Sequence, residues 1–557
     1  MITRTKQALR FFTFFAIFFA NSTAYAAPRL PENLVKTSLV YCTSVSGFSF
    51  NPQKADIGSN MNVVTEQIYD KLIEFDPATN SLKPALAERF SVSEDGLTLT
   101  FYLRKNVSFH QTPWFTPTRH FNAEDVLFSL NRVLGEVDEL PELNQENQIG
   151  TAHHRHQNEV YRKLAYRTHF PYFESIDLKN KIAAISSPSR YVVQIKLHAP
   201  DASFLAHLAS QYAVILSKEY AWQLNADENL GQLDLLPVGT GVYQLESYEQ
   251  NDFVRLKPNP RYWGKKAHIE NMIVDFSTTG TGRMAKFLNG ECDVSAFPEP
   301  SQLGLLSETD GYLVETDGAN LAFLAFNFLK PRMQALQLRQ KIAQAINRTR
   351  LAQVLFYQTA EVAHSVLPSV LYDEKMISDY RYLAPASTDT PSEPLTLWVI
   401  DEKRIYNLHP LKMAEFIRYD LAQAGIEVKI RQVSRAYLVQ QLEKGEADYD
   451  LILSGWLASN FDPDSFLTPI LSCQAQNSVS NLANWCSVEF DALLSAARMS
   501  HKEQRPQYYH QIHQLLNQQL PILPLVNVKR SLVVKSKIQH AKISPFGQVK
   551  LSEMQLK

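Results

Sequence analysis

Four groups of residues in this chain have types and spacings that chemistry uses. Gly280-Thr281-Gly282-Arg283-Met284-Ala285 fits the G-x-G-x-x-A turn at which backbone amides approach a pyrophosphate. His153, His154 and His156 lie within four residues of one another, and neutral imidazoles bind transition metals. Asp462-Pro463-Asp464 sets two carboxylates beside Trp456 and Phe461, where a cleft could use them. Cys42, Cys292, Cys473 and Cys486 are either two disulfides or a set of thiolate ligands.

None of these completes a catalytic set. The acidic ribose partner expected about 20 residues beyond a dinucleotide turn is not evident, and Ser277-Thr278-Thr279 before the glycines suits an ordinary capped helix start. The three histidines fall in a polar stretch, Gly135 to His169, that reads as an exposed excursion without the fixed geometry a metal site requires. Proline between two aspartates reads first as a turn whose side chains satisfy local backbone donors. The chain has no G-x-S-x-G elbow, P-loop, H-E-x-x-H or EF-hand loop. A secreted oxidoreductase using Gly280 to Ala285, or a metal hydrolase using the histidines, is therefore only a remote alternative to a binding protein.

The elements that must position these residues are legible in part. Leu97 to Leu103 and Tyr191 to Leu197 alternate apolar and polar residues and read as half-buried strands. Leu338, Ile342 and Ile346 recur every four residues, which predicts one long amphipathic helix over 338–351. Leu395 to Ile400, a helical pattern through Met413, Phe416, Ile417 and Leu421, Gly425, and Ile426 to Ile430 form a βαβ unit with parallel strands. The Asp-Pro-Asp turn follows the strand-like Tyr449 to Leu453, and ligands in α/β sheets bind beyond strand carboxyl ends. The chain mixes α/β and α+β character, as several subdomains would.

Composition narrows the class. Of 557 residues, 55 Lys+Arg stand against 57 Asp+Glu, a net of -2, too balanced for a dedicated nucleic-acid binder. The 24 Tyr, 31 Phe and 6 Trp supply more burial than a disordered chain carries. Arg4, Lys6 and Arg10, the apolar run Phe11 to Ala20 and Ala24-Tyr25-Ala26 read as a secretory signal peptide over residues 1–26, too short in its apolar part to span a bilayer. Cleavage between Ala26 and Ala27 removes three basic residues, leaving 52 against 57 acidic ones, a net of -5. Export places the cysteines in an oxidising compartment. Of the three connectivities, Cys473 with Cys486 is the local choice and leaves Cys42 with Cys292. A zinc site is the rival reading, but it lacks a C-x-x-C pair and a correctly spaced histidine.

Several segments together resemble the large periplasmic peptide-binding proteins of ABC importers, the family of the dipeptide and oligopeptide binders. They include Phe50-Asn51-Pro52, Gln67 to Leu72, Pro237 to Tyr243, Asn259-Pro260-Arg261-Tyr262-Trp263 and Gly290 to Val294. Ala325-Phe326-Asn327, Arg339 through Arg348, and Gly455-Trp456 with Asp462-Pro463-Asp464 continue the series. Trp114 to Arg119, Phe170 to Phe173, Pro200 to Leu205, Gly280 to Arg283, Leu520 to Leu525 and Ser544 to Gly547 carry a closer likeness to one branch of that family.

The resemblance implies an α/β protein of two lobes with a hinged cleft and an extra subdomain in the first lobe. It maps residues 27–318 to lobe I, with the subdomain at roughly 60–235, residues 319–526 to lobe II, and 527–557 to a return into lobe I. It implies no enzymatic activity and no cofactor. The expected ligand is a peptide, including cationic antimicrobial ones, and the expected partner an inner-membrane ABC permease in the periplasm; nucleic acid is not expected, and the protein would be a monomer. A second binding reading keeps the fold and takes haem or another compact ligand. By alignment with the family, Arg404 is the counterpart of an arginine that holds a dipeptide carboxylate, whereas Ser459 stands where the family's ammonium-binding aspartate would be. Asp462 or Asp464 would have to substitute for it. Tyr406, Trp456, Gly58 and Ser59 complete the set of ligand-binding residues that the resemblance implies.

Overall fold

The computed structural model describes residues 38–44, 49–55, 62–76, 81–135, 168–277, 279–372, 374–377, 390–476 and 478–557. The signal peptide, Gly58, Ser59 and the His153, His154 and His156 group lie outside the described residues. Two large sheets organise the chain into two lobes. The first has seven strands in the spatial order Gly311–Thr316, Arg530–Lys535, Val294–Ala296, Leu39–Thr43, Met272–Phe276, Phe253–Pro258 and Tyr243–Glu249. The second has six, ordered Ala360–Val362, Ile522–Val528, Asn320–Phe326, Leu451–Leu457, Leu395–Ile400 and Val428–Val433.

Both sheets are covered on two faces, which is why their central strands are near-continuous apolar runs. Asn320–Phe326 and Leu451–Leu457 are buried at every position. Strand alternation then divides their side chains between two cores. Leu321, Phe323, Ile452 and Trp456 join one cluster, while Ala322, Leu324, Leu451 and Leu453 join the cluster on the opposite face. In the seven-stranded sheet, Leu39 and Tyr41 face the large first core, and Val40 and Cys42 face a smaller one with Phe287 and Cys292.

The two alternating stretches read from sequence are strands Thr98–Leu103 and Val192–Leu197. They pair directly, with Leu99 opposite Ile195 and Phe101 opposite Val193. With Ala87–Val92 and Ile182–Ser189 they form a four-stranded antiparallel sheet, the extra subdomain on the first lobe. The βαβ unit is present as Leu395–Ile400, helix Pro410–Gln423 and Val428–Val433, with parallel strands.

The long helix predicted over 338–351 is instead two, Leu336–Ala345 and Arg348–Phe356. The apolar period runs on across the break, but Asn347 caps the second helix by accepting from the Arg350 amide at 2.9 Å. The carboxylate of Asp420, on another helix, takes the Asn347 amide at 2.9 Å.

Both disulfides expected from the sequence are formed, Cys42 with Cys292 and Cys473 with Cys486. The chain passes from the first large sheet to the second between Thr316 and Asn320 and returns between Val528 and Arg530. These crossings lie side by side. The Asn320 side-chain Nδ2 donates to the Val528 carbonyl at 2.6 Å, and Asn320 Oδ1 accepts from the Val528 backbone amide at 3.0 Å.

Candidate functional site

A cavity of about 350 Å³ opens at the carboxyl ends of strands Leu395–Ile400 and Leu451–Leu457, where open α/β sheets place ligands. Arg404 and Tyr406 enter it from the loop after the first of these strands. That loop is fixed by a reciprocal backbone pair, Arg404 N–H to Asn407 O at 3.1 Å and Asn407 N–H to Arg404 O at 2.8 Å. Ser454, Gly455 and Trp456 form the floor. The Tyr406 ring lies so close over Gly455 that a Cβ there would fall 2.3 Å from Tyr406 Cδ2 and 2.5 Å from the Leu321 carbonyl. Glycine is required at 455 for the aromatic wall to sit where it does.

A second wall is helix Arg435–Glu443, whose N-cap Ser434 accepts from the Tyr437 amide at 3.1 Å. Arg435, Leu438, Val439 and Glu443 share one face at helical spacing and all line the cavity. The third wall, Val479, Ser480 and Leu482, belongs to the loop closed by the Cys473–Cys486 disulfide. Pro171 is the contribution of the other lobe.

The charges in this cavity are unevenly matched. The Arg404 guanidinium donates to Glu402 Oε1 at 2.8 Å. No carboxylate pairs with Arg435 among the described residues. Burial raises the Tyr406 phenol above its ordinary range, against the pull of the Arg404 and Arg435 charges beside it.

The structure thus brings Arg404, Tyr406 and Trp456 together and gives Asp462 and Ser459 other places. Asp462 is 3% exposed and does not line the cavity. Its two oxygens accept a bidentate pair from Arg505, both bonds at 2.9 Å, and Oδ1 also caps helix Pro463–Leu471 through the Asp464 amide. Asp464, equally buried, is held by Arg498 at 3.1 Å. Neither carboxylate is free to hold a ligand ammonium in place of an aspartate at 459. Ser459 is buried next to Asn460, whose side-chain amide donates to Tyr172 Oη at 3.1 Å across the two lobes. Tyr172 Oη in turn lies 2.9 Å from His207 Nδ1. Burial and the nearby Lys181 push the His207 pKa down to about 4, with Asp201, Asp464 and Asp462 opposing.

Arg435, Glu443 and the loop residues Val479 to Leu482 were not singled out by sequence reasoning. One signal was available. Arg435 directly follows a Ser cap, so it puts a cation where helices ordinarily begin with acidic residues.

The glycine turn at 280 to 285 begins helix Gly280–Leu288, capped by Thr279 through the Gly282 amide at 3.0 Å. The Glu299 side chain packs against Gly280, so an acid occupies the region a pyrophosphate would need. Arg283 is spent on three carbonyls, those of Ala296, Ser277 and Phe297. The capped helix start, preferred from the sequence over a dinucleotide turn, is what these residues form. Among the described residues no group of three or more His, Cys, Asp or Glu side chains could hold a metal ion.

Residues 81–478 match the family described as bacterial extracellular solute-binding proteins, family 5 Middle. The peptide transport periplasmic protein SapA of Haemophilus influenzae is 48% identical over 556 residues, 98% of each chain. Among solved structures, the dipeptide-binding protein of Pseudoalteromonas sp. SM9913 in complex with Met-Leu superposes with a TM-score of 0.77 at 34% identity, covering 93% of this chain and all of that one. DppA of Helicobacter pylori in complex with the peptide STSA gives 0.76 at 25% identity, covering 93% and 98%.

Proposed function

Because the chain belongs to the bacterial extracellular solute-binding proteins of family 5, we propose that it captures short peptides in the cavity around Arg404, Tyr406 and Trp456 and delivers them to an inner-membrane ABC permease. It is a periplasmic binding protein rather than an enzyme. The observation that carries the reading is the cavity itself. It lies at strand carboxyl ends, has a guanidinium on each of two walls, Arg404 and Arg435, with an aromatic floor, and is capped by Pro171 from the opposite lobe. A short peptide offers matching groups, a terminal carboxylate for a guanidinium and side chains for the apolar surfaces. The peptide ligands of the two structural relatives and the name of the H. influenzae relative support the same class.

Two neighbouring crossings, 317–319 and residue 529, suit a hinge. A ligand that touches both lobes makes its full set of contacts only when they are together, so binding shifts the balance toward the closed form. The lobes also touch each other directly in this structure. Their contacts include the Asn460–Tyr172 bond, the Ala202 amide donating to the Arg498 carbonyl at 2.8 Å, Phe75 stacked on Phe461 at 4.3 Å, and Glu299 facing Lys403 and His409 at 4.0 and 3.8 Å. A permease that recognises both lobes at once can then read closure as occupancy. The protein acts as a monomer in this scheme.

Native mass spectrometry of protein purified from the periplasm tests the reading. Peptide adducts that leave on mild unfolding, at one per chain, are the expected result. A haem absorbance band with no peptide adduct would overturn it in favour of a compact cofactor.

A further inference from the structure

Two guanidiniums enter the cavity, and they are not equivalent. Arg404, the counterpart of the family's carboxylate-holding arginine, already has a carboxylate on it, Glu402 at 2.8 Å. Arg435 has none among the described residues. The acid on its own helix that also lines the cavity, Glu443, stands eight residues on, about 12 Å along the axis.

The position of Arg435 is informative in itself. It is the first residue of its helix, where free amides and the positive end of the helix dipole favour an anion and oppose a cation. A residue placed against its own helix dipole, half-exposed and turned into a cavity, does little for folding. An anion brought between Arg435 and the helix end would be favoured by both.

The rest of the cavity says what should carry that anion. Ile400, Leu438, Val439, Trp456, Val479 and Leu482 make most of its surface apolar. The opposite demand, a carboxylate for a ligand ammonium, falls among the described lining residues to Glu443 alone, which is exposed to water at the far end of the helix from Arg435. Position 459 is a serine, and Asp462 and Asp464 are committed to Arg505 and Arg498.

We infer that Arg435, rather than Arg404, anchors the ligand's terminal carboxylate, so that the site selects peptides by a free C-terminus on an apolar residue more than by a cationic N-terminus. The inference rests on the peptide-binding reading above and names the end of the peptide that is recognised.

The test is calorimetric binding of Met-Leu and Ser-Thr-Ser-Ala, each as free acid and as C-terminal amide, to the mature chain and to R435Q, R435K and R404Q. Loss of one charge-assisted bond predicts that amidation weakens binding to the unsubstituted protein by about tenfold or more. R435Q should bind the acids about tenfold more weakly and treat acid and amide alike, within about twofold. R435K should keep part of the preference, and R404Q most of it. Loss of the preference in R404Q but not in R435Q would overturn the inference and leave peptide binding intact, as would equal binding of acid and amide by the unsubstituted protein. Binding of none of the four probes would overturn peptide binding itself, and this inference with it.

Discussion

Two charged groups of this protein are handled in opposite ways. On one side Asp462 and Asp464 are almost wholly buried, and each is matched by an arginine, Arg505 and Arg498. On the other side Arg404 and Arg435 face open space, the first with a half-exposed partner and the second with none. Both groups are built on the same lobe. Matched and buried charge there fixes a turn and joins helices, whereas surplus charge at a cavity wall leaves a bond for something else to make. Net charge over the whole chain shows neither.

The largest effect should come from unmatching the buried side. Asp462→Ala strands Arg505 without its partner and removes a helix cap, and should destabilise by about 3–5 kcal/mol in urea unfolding. An unchanged midpoint would return Asp462 to the list of possible ligand contacts.

Acid should act next, through the histidine beside this turn. The His207 pKa is about 4 in the fold against an ordinary 6.5, so the unfolded chain takes the proton first. Its contribution is complete above pH 6.5 and is lost as pH falls from there toward 4, about 2 kcal/mol by pH 5. His110 and His513, also buried and pushed down to about 4, add losses of the same sign. Asp70 works the other way. Burial pushes its pKa up to about 6, despite hydrogen bonds from Trp263 and Thr240, so its ionisation penalty is relieved as pH falls through 6. Stability curves of His207→Gln should therefore lie about 2 kcal/mol flatter between pH 7 and 5 than those of the unsubstituted protein. Parallel curves would break the assignment of His207 as a neutral buried group.

The unmatched side should be nearly silent in folding. Arg404→Gln and Arg435→Gln are expected within about 0.5 kcal/mol of the unsubstituted protein by thermal melting. A loss several times larger in either would mean that the cavity arginines are structural after all. The smallest effect is expected from Glu402→Gln, which releases Arg404 from a partly exposed pair and should change Met-Leu affinity by about twofold or less.

What could be read from sequence followed the range of the forces involved. The strands Thr98–Leu103 and Val192–Leu197 were plain because alternation is local and each has one buried face. The βαβ unit was plain for the same reason, down to the turn at Gly425. The helix break at Asn347 was not, because the carboxylate that takes the Asn347 amide is on a helix 73 residues away. Arg404, Tyr406 and Trp456 could be named through the order of family-like segments. Asp462 was placed at the ligand because its partner is 43 residues off in sequence, and a buried ion pair cannot be seen from one of its members. Arg435 went unnoticed because only the packed helix turns it toward the cavity.

The Cys473–Cys486 bridge has a consequence for the cavity wall that it encloses. Val479, Ser480 and Leu482 sit on a loop whose two ends are covalently held 13 residues apart, so the wall has fewer conformations to lose when a ligand arrives. The shape offered to a peptide is thus partly set before any peptide is present. That pre-organisation depends on the oxidation state of the surroundings, and the protein becomes a finished receptor only after export.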